Sequence, residues 1–281
     1  MTKNASHQQL FLVTGATGKT GSRVAALLEA AGHPVRRGSR AATIPFDWTD
    51  RSTWAPVLAG VDSIYLSYQP DLAVPGAADT IRAFSAAARS AGVRSVVLVS
   101  GRGEPEAREC ELIVEDSGLN WTVVRCSFFA QNFSEGAFLD DVLAGTVALP
   151  NGDVPEPFAH ADDIAEVAVA ALTDPRHAGE IYEVTGARAL SFTDAVGEIA
   201  TATGREIAFI PISHSEFVAA LGEYQLPEEM STLLVYLFGT ILDGRNTATA
   251  DGVQRALGRA PRDFSEFAEA AAATGVWTPR T

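Results

Sequence analysis

Lysine is almost missing from this chain: of 21 basic residues only Lys3 and Lys19 are lysine. Chemistry that needs a lysine beside a tyrosine therefore has just two positions to draw on. Cysteine is as scarce. Cys110 and Cys126 have fifteen residues between them and no Cys-x-x-Cys or Cys/His spacing for zinc, which predicts reduced structural thiols and no metal site. Basic charge is in the minority too: 35 acidic residues against 21 basic ones leave a net charge of −14, a balance that repels a phosphate backbone and argues against nucleic acid as a partner. Long apolar runs are absent. The nearest, Leu233–Leu242, is broken by Gly239 and Thr240 and falls short of the roughly 20 residues a membrane helix needs. The polar stretch Met1–Gln9 has no apolar centre for a signal peptide, so the expectation is a cytoplasmic protein without a membrane partner.

What is present is a regular alternation of short β-branched runs with Ala-rich stretches of helical period, over 281 residues of which 47% are hydrophobic. The alternation predicts strands at Leu10–Thr14, Pro34–Arg37, Thr43–Phe46, Ser63–Ser67, Arg94–Ser100 and Trp121–Arg125. Helices are predicted at Ser22–Ala31, Thr53–Leu58, Gly76–Ala91 and Glu106–Ser117. Such a series gives an α/β fold, a doubly wound parallel sheet of Rossmann type. Residues 1–127 read as the dinucleotide-binding core. Residues 128–281 read as a smaller helix-rich C-terminal substrate lobe packed over the sheet, from which segments can return to the core. In the lobe, Phe128, Phe129, Phe133 and Phe138 crowd into eleven residues, either as a buried helix face or, with Asn132, as the wall of a substrate pocket. The apolar helix at Ser231–Leu242 is lobe core or a dimer face, so a monomer and a homodimer both stay open.

The sharpest motif is Thr14-Gly15-Ala16-Thr17-Gly18-Lys19-Thr20-Gly21, which follows the first strand and opens a helix. Glycines at this spacing allow a tight turn, close approach of backbone to a pyrophosphate, and close helix–strand packing. Gly15, Thr17, Gly18, Lys19, Thr20 and Gly21 are accordingly candidate cofactor contacts. Strand two ends in Arg36-Arg37-Gly38-Ser39-Arg40, with no acid before Asp47. An acid there would clasp the ribose hydroxyls of NAD, whereas Ser39 and a guanidinium suit the 2′-phosphate of NADP(H).

These residues, with Ser117-Gly118-Leu119-Asn120-Trp121-Thr122-Val123-Val124-Arg125 and His160-Ala161-Asp162-Asp163-Ile164-Ala165, resemble the NmrA-like atypical short-chain dehydrogenase/reductases. The stretch from Gln131-Asn132-Phe133 through Asp243-Gly244-Arg245-Asn246 is similar to bacterial relatives of the ergot-alkaloid iminium reductases. One departure is Cys126, where the family usually has proline. The resemblance implies NADPH at the carboxyl edge of the sheet, touched by the glycine turn, Ser39-Arg40 and the strand ends near Ser67, Tyr68, Ser100 and Cys126; Asp47 is a further candidate cofactor contact. It also implies a helix starting at Asp163, which has capping-box spacing to Glu166.

Most short-chain dehydrogenases use a Tyr-x-x-x-Lys pair to protonate a carbonyl oxygen. No tyrosine precedes Lys3 or Lys19 by four, so the pair cannot exist here. An acceptor that needs no such proton, an iminium or a quinone, fits better than a ketone. If a side chain assists, Tyr68 and His160 are the candidates; His160 can equally be a hydrogen-bonded structural residue, and His214 reads as a helix start. The same absence also suits an NADP(H)-sensing regulatory protein that binds a protein partner.

Overall fold

A computed structural model describes residues 8–223 and 226–279. The first half runs β1 (Phe11–Thr14), α1 (Lys19–Ala30), β2 (Val35–Gly38), α2 (Trp54–Leu58), β3 (Ser63–Leu66), α3 (Ala77–Ser90), β4 (Ser95–Gly101), α4 (Pro105–Glu115) and β5 (Asn120–Cys126). Then come α5 (Asn132–Glu135), α6 (Leu139–Ala144), β6 (Thr146–Leu149), α7 (Ala161–Thr173), β7 (Ile181–Val184), α8 (Phe192–Thr203), β8 (Ala208–Pro211), α9 (His214–Glu223), α10 (Glu228–Tyr236), a π turn at Leu237–Ile241, α11 (Gly252–Leu257) and α12 (Phe264–Ala273).

Six strands form one sheet in the order β2-β1-β3-β4-β5-β7. The β1–β2, β1–β3 and β3–β4 pairs are parallel, and β1 and β3 bury all four of their residues, as strands covered on both faces must. From β2 the chain crosses to β3 on the far side of β1. The order therefore reverses at the carboxyl ends of β1 and β3, the place where doubly wound sheets hold ligands.

The chain divides into two compact units, Met1–Ser100 with Glu106–Val124 and Ala165–Tyr182, and Gly101–Pro105 with Arg125–Ile164 and Glu183–Thr281. The first is built on the sheet and its helices. The second has an aromatic core in which Phe133 lies 5.1 Å from Phe138 and Phe158 lies 5.1 Å from Phe192, ring centre to ring centre. A small parallel pair, β6–β8, sits in this unit. Its Asn151, at φ +56°, donates through Nδ2 to the carbonyls of Phe238 and Leu242, which satisfies oxygens at the π turn.

The structure departs from the sequence expectation in three places. Thr43–Phe46 is not a strand: Pro45 lacks an N–H for a ladder, and the segment folds back so that the N–H groups of Ala42 and Phe46 both donate to the Ser39 carbonyl. Helix α1 starts at Lys19, three residues earlier than predicted, directly on the glycine turn. Asp163 does not cap α7. It lies inside the first turn, fully buried, and its carboxylate accepts from the Arg262 N–H at 2.8 Å, from Arg259 at 2.7 Å and from the Arg262 guanidinium. The structural role expected of Asp163 stands, with paired arginines in place of a cap.

Candidate active site

In the first unit each motif glycine has a separate steric reason. Gly15 has φ +61°, a left-handed conformation that glycine adopts without cost, and a Cβ there would lie 3.2 Å from the Ser67 side chain. The Gly18 N–H donates to the Gly15 carbonyl at 2.9 Å and closes the turn. A Cβ on Gly18 would stand 3.3 Å from that oxygen, and one on Gly21 only 2.2 Å from it. Gly18 caps α1 without a side chain, and the first turn carries no acid. The opening amides at Lys19, Thr20 and Gly21 thus form an electropositive end suited to an anion. Thr17 is exposed on this turn and Thr20 is buried. Thr14 fixes the turn against β3: its hydroxyl accepts the Ser67 N–H at 2.8 Å and lies 3.1 Å from the Tyr65 and Ser67 carbonyls. These residues fit a dinucleotide pyrophosphate, because a Cβ at any of the three glycines would intrude on the turn.

At the end of β2 the three arginines separate by use. Arg36 donates to the Val57 and Ala59 carbonyls, both at 2.7 Å. Arg37 makes a two-pronged ion pair with Glu29. Arg40 is exposed and makes no hydrogen bond among the described residues. Beside it, Asp47 is held below the ordinary carboxylate range by the Thr49 N–H and hydroxyl, with Arg40 adding a smaller attraction. The Asp47 carbonyl accepts the Trp54 indole N–H at 3.0 Å, so this residue holds its own loop together. Ser39, half-buried, anchors the same loop through its carbonyl.

Tyr68 is half-buried and packs on Trp48, ring centres 5.0 Å apart. Trp48 in turn packs on Phe84 at 4.9 Å, so the tyrosine continues an aromatic row that starts in the core. Ser100 is buried, and its hydroxyl donates to Glu111 at 2.7 Å. The hydroxyl's proton is thereby committed, and its lone pairs remain as acceptors.

In the second unit Cys126 is buried, and burial pushes its thiol well above the ordinary range. Its carbonyl accepts the Arg102 N–H at 2.9 Å. Phe133 is fully enclosed by aromatic rings and gives its carbonyl to the Trp277 indole at 2.7 Å; it is core rather than pocket wall. Phe128, Phe129 and Asn132 are partly exposed. His160 is buried, and its Nδ1 accepts the Asp162 N–H at 3.1 Å, while Gln131 accepts the Ala161 N–H at 2.7 Å. Together they cap α7, a structural use of the histidine that occupies its Nδ1.

Two features of this unit carry little signal in the sequence. Arg102 links Glu183 to the carbonyls of Asn246 and Ala248, and Glu156 is buried without a partner. The only sequence signal for the second was an acid between two prolines.

A family model described as NAD(P)H-binding matches residues 15–175. The chain is 33% identical to an uncharacterized oxidoreductase, YesF, of Bacillus subtilis (strain 168), over 96% of this chain and 99% of that one. It is 31% identical to an NAD(P)H azoreductase of Xenophilus azovorans (94% and 98% covered) and 29% identical to an agroclavine dehydrogenase of Claviceps fusiformis (92% and 95% covered). Among solved structures, the NADPH complex of the quinone oxidoreductase QOR2 from Escherichia coli shares the fold, with a TM-score of 0.74 at 22% identity, covering 93% of this chain and 99% of that one.

Proposed function

The chain belongs to the NAD(P)H-binding, NmrA-like atypical short-chain dehydrogenase/reductases, which makes it an oxidoreductase, and on that premise we propose an NADPH-dependent reductase of a small, activated, apolar electrophile, an iminium or a quinone, that works without a tyrosine–lysine proton relay. The observation that carries this reading is an intact phosphate cradle in a chain whose two lysines, Lys3 and Lys19, exclude the relay. The turn Gly15–Gly21 would hold the pyrophosphate by backbone amides, and Ser39 with Arg40 would receive the 2′-phosphate. When bound, NADPH supplies a hydride. An iminium carbon becomes neutral on taking it, and a reduced quinone takes its proton from water, so the protein's contribution is to orient the acceptor and exclude bulk solvent.

The azoreductase among its relatives and the quinone oxidoreductase among its fold neighbours support an electron-poor, conjugated acceptor. Partly exposed Phe128 and Phe129 supply apolar surface in the second unit for such a molecule. The test uses NADPH deuterated at either face of the nicotinamide carbon, with an N-methyl dihydroisoquinolinium salt as acceptor. One of the two labels should reach the product carbon. No NADPH oxidation above background, together with a partner affinity that differs between NADP and NADPH, would replace the reductase by a redox sensor.

A further inference from the structure

Glu156 lies in the second unit, fully enclosed, and neither of its carboxyl oxygens has a hydrogen-bond partner. Its backbone does not let it turn away. Pro155 and Pro157 flank it, its N–H donates to the Leu190 carbonyl at 2.9 Å, and its carbonyl accepts the Leu190 N–H at 3.0 Å. Burial raises the acid to about 7, with Arg102 opposing the rise and Asp243 adding to it. An ionised carboxylate without a partner is costly in such a place.

The charges that act on it sit on two other segments. Arg102, on the loop after β4, is only 12% exposed. Its guanidinium reaches Glu183 at 3.2 Å and the carbonyls of Asn246 and Ala248 at 2.8 and 2.7 Å. The Arg102 carbonyl accepts from the Asn246 side chain at 3.0 Å. Asp243 is held at about 2 by Arg245, so it stays charged and repels a Glu156 carboxylate. Arg188, near the Leu190 contact, is turned to Glu198 and Asp263 at 2.6 and 2.7 Å. The Thr247 hydroxyl donates to the Pro155 carbonyl at 3.0 Å. The segment from Asp243 to Ala250 is thus tied both to the residue beside Glu156 and to Arg102, whose charge acts on that carboxyl.

We propose that Glu156 is a proton-operated latch on the segment from Asp243 to Ala250: neutral, it leaves Arg102 bonded to the Asn246 and Ala248 carbonyls, and ionised, it draws the guanidinium away and frees the segment. One proton passes between the carboxyl oxygen and water, and no other covalent bond forms or breaks. The sign follows from linkage. A carboxyl that ionises near 7 when enclosed and near 4.3 when released makes opening about tenfold more favourable at about pH 8 than at about pH 6.

Hydrogen exchange of the full chain, corrected for the intrinsic rate at each pH, tests this at the amides of residues 244–250. Protection should fall about tenfold over that interval in the wild type and stay flat in Glu156→Gln. Asp243→Asn, at an exposed position, should shift the loss to lower pH and shrink it, because a repelling charge is gone. Should Glu156→Gln fail to fold, Asp243→Asn and a carbon-13 titration of the wild-type carboxyl still decide. Equal wild-type protection at both pH values, an unchanged pH response in Glu156→Gln, or a Glu156 carboxyl titrating in the ordinary glutamate range would overturn the latch.

Discussion

Arg37 and Glu29 face each other across the end of β2 and the last turn of α1, joined by two hydrogen bonds of 2.9 and 2.8 Å. That pair removes Arg37 from the set of cations open to a cofactor phosphate. The Arg36 guanidinium is likewise engaged with two backbone carbonyls. Of the three arginines at this strand end, Arg40 is the one that makes no hydrogen bond among the described residues.

Arg40→Ala should therefore weaken NADPH binding by about 1.5 to 3 kcal/mol, the range for hydrogen bonds to charged groups, which is about ten- to a hundredfold. NADH affinity should not change. Arg37→Ala should leave the NADPH/NADH ratio alone and cost at most about 1 kcal/mol of stability, as an exposed ion pair does. Fluorescence titration with both cofactors checks the ratio; a collapse in Arg37→Ala alone would move the phosphate contact to Arg37.

The glycines should divide in the same way. Gly21→Ala puts a Cβ 2.2 Å from a backbone oxygen that cannot yield, so the unit should lose about 3 kcal/mol or more through overpacking. Gly18→Ala, at 3.3 Å, should fold and bind NADPH more weakly. Thermal melts beside cofactor titration separate the two; equal melting temperatures would show that Gly21 is free to shift.

His160→Asn keeps a cap acceptor at the start of α7 and should retain most of the turnover, whereas His160→Ala should cost about 1 kcal/mol of stability. A kcat loss of a hundredfold or more in both variants, with melting unchanged, would restore the histidine as an acid. Asp163→Asn, by contrast, leaves Arg259 and Arg262 without their buried anion and should cost about 3 kcal/mol, visible in a denaturant melt.

Both thiols should be inert in the folded chain. Burial lifts Cys110 to about 12 and Cys126 further still, so almost no thiolate exists near neutral pH. A thiol reagent at mildly alkaline pH should label neither until denaturant is added, and rapid labelling of the native protein would contradict this.

Much of this was legible before the structure because the signals are local. A glycine turn after a buried strand places a helix directly behind it by backbone sterics, although the helix starts three residues earlier than its composition suggests, and β-branched runs between Ala-rich helices leave few topologies. What was illegible depends on long-range partners. Nothing in Asp163 announces Arg262, 99 residues on, and nothing in Arg37 announces that Glu29 takes it. Thr43–Phe46 has strand composition, yet Pro45 and the Ser39 carbonyl turn it into a loop. Phe133 carries the same label as Phe128 in sequence; only the rings around it make one core and leave the other partly exposed.

Reduction without a proton relay is tested most sharply by acceptors of one shape that differ in their need for a proton. Initial rates of NADPH oxidation with the dihydroisoquinolinium salt and with α-tetralone, a ketone of similar size, give the answer across a pH series. Turnover of the iminium at a rate nearly independent of pH is expected, and none of the ketone above background. Equal turnover of the ketone, with a rate that falls as a single group loses its proton, would contradict relay-free reduction and show that the chain contains a catalytic acid.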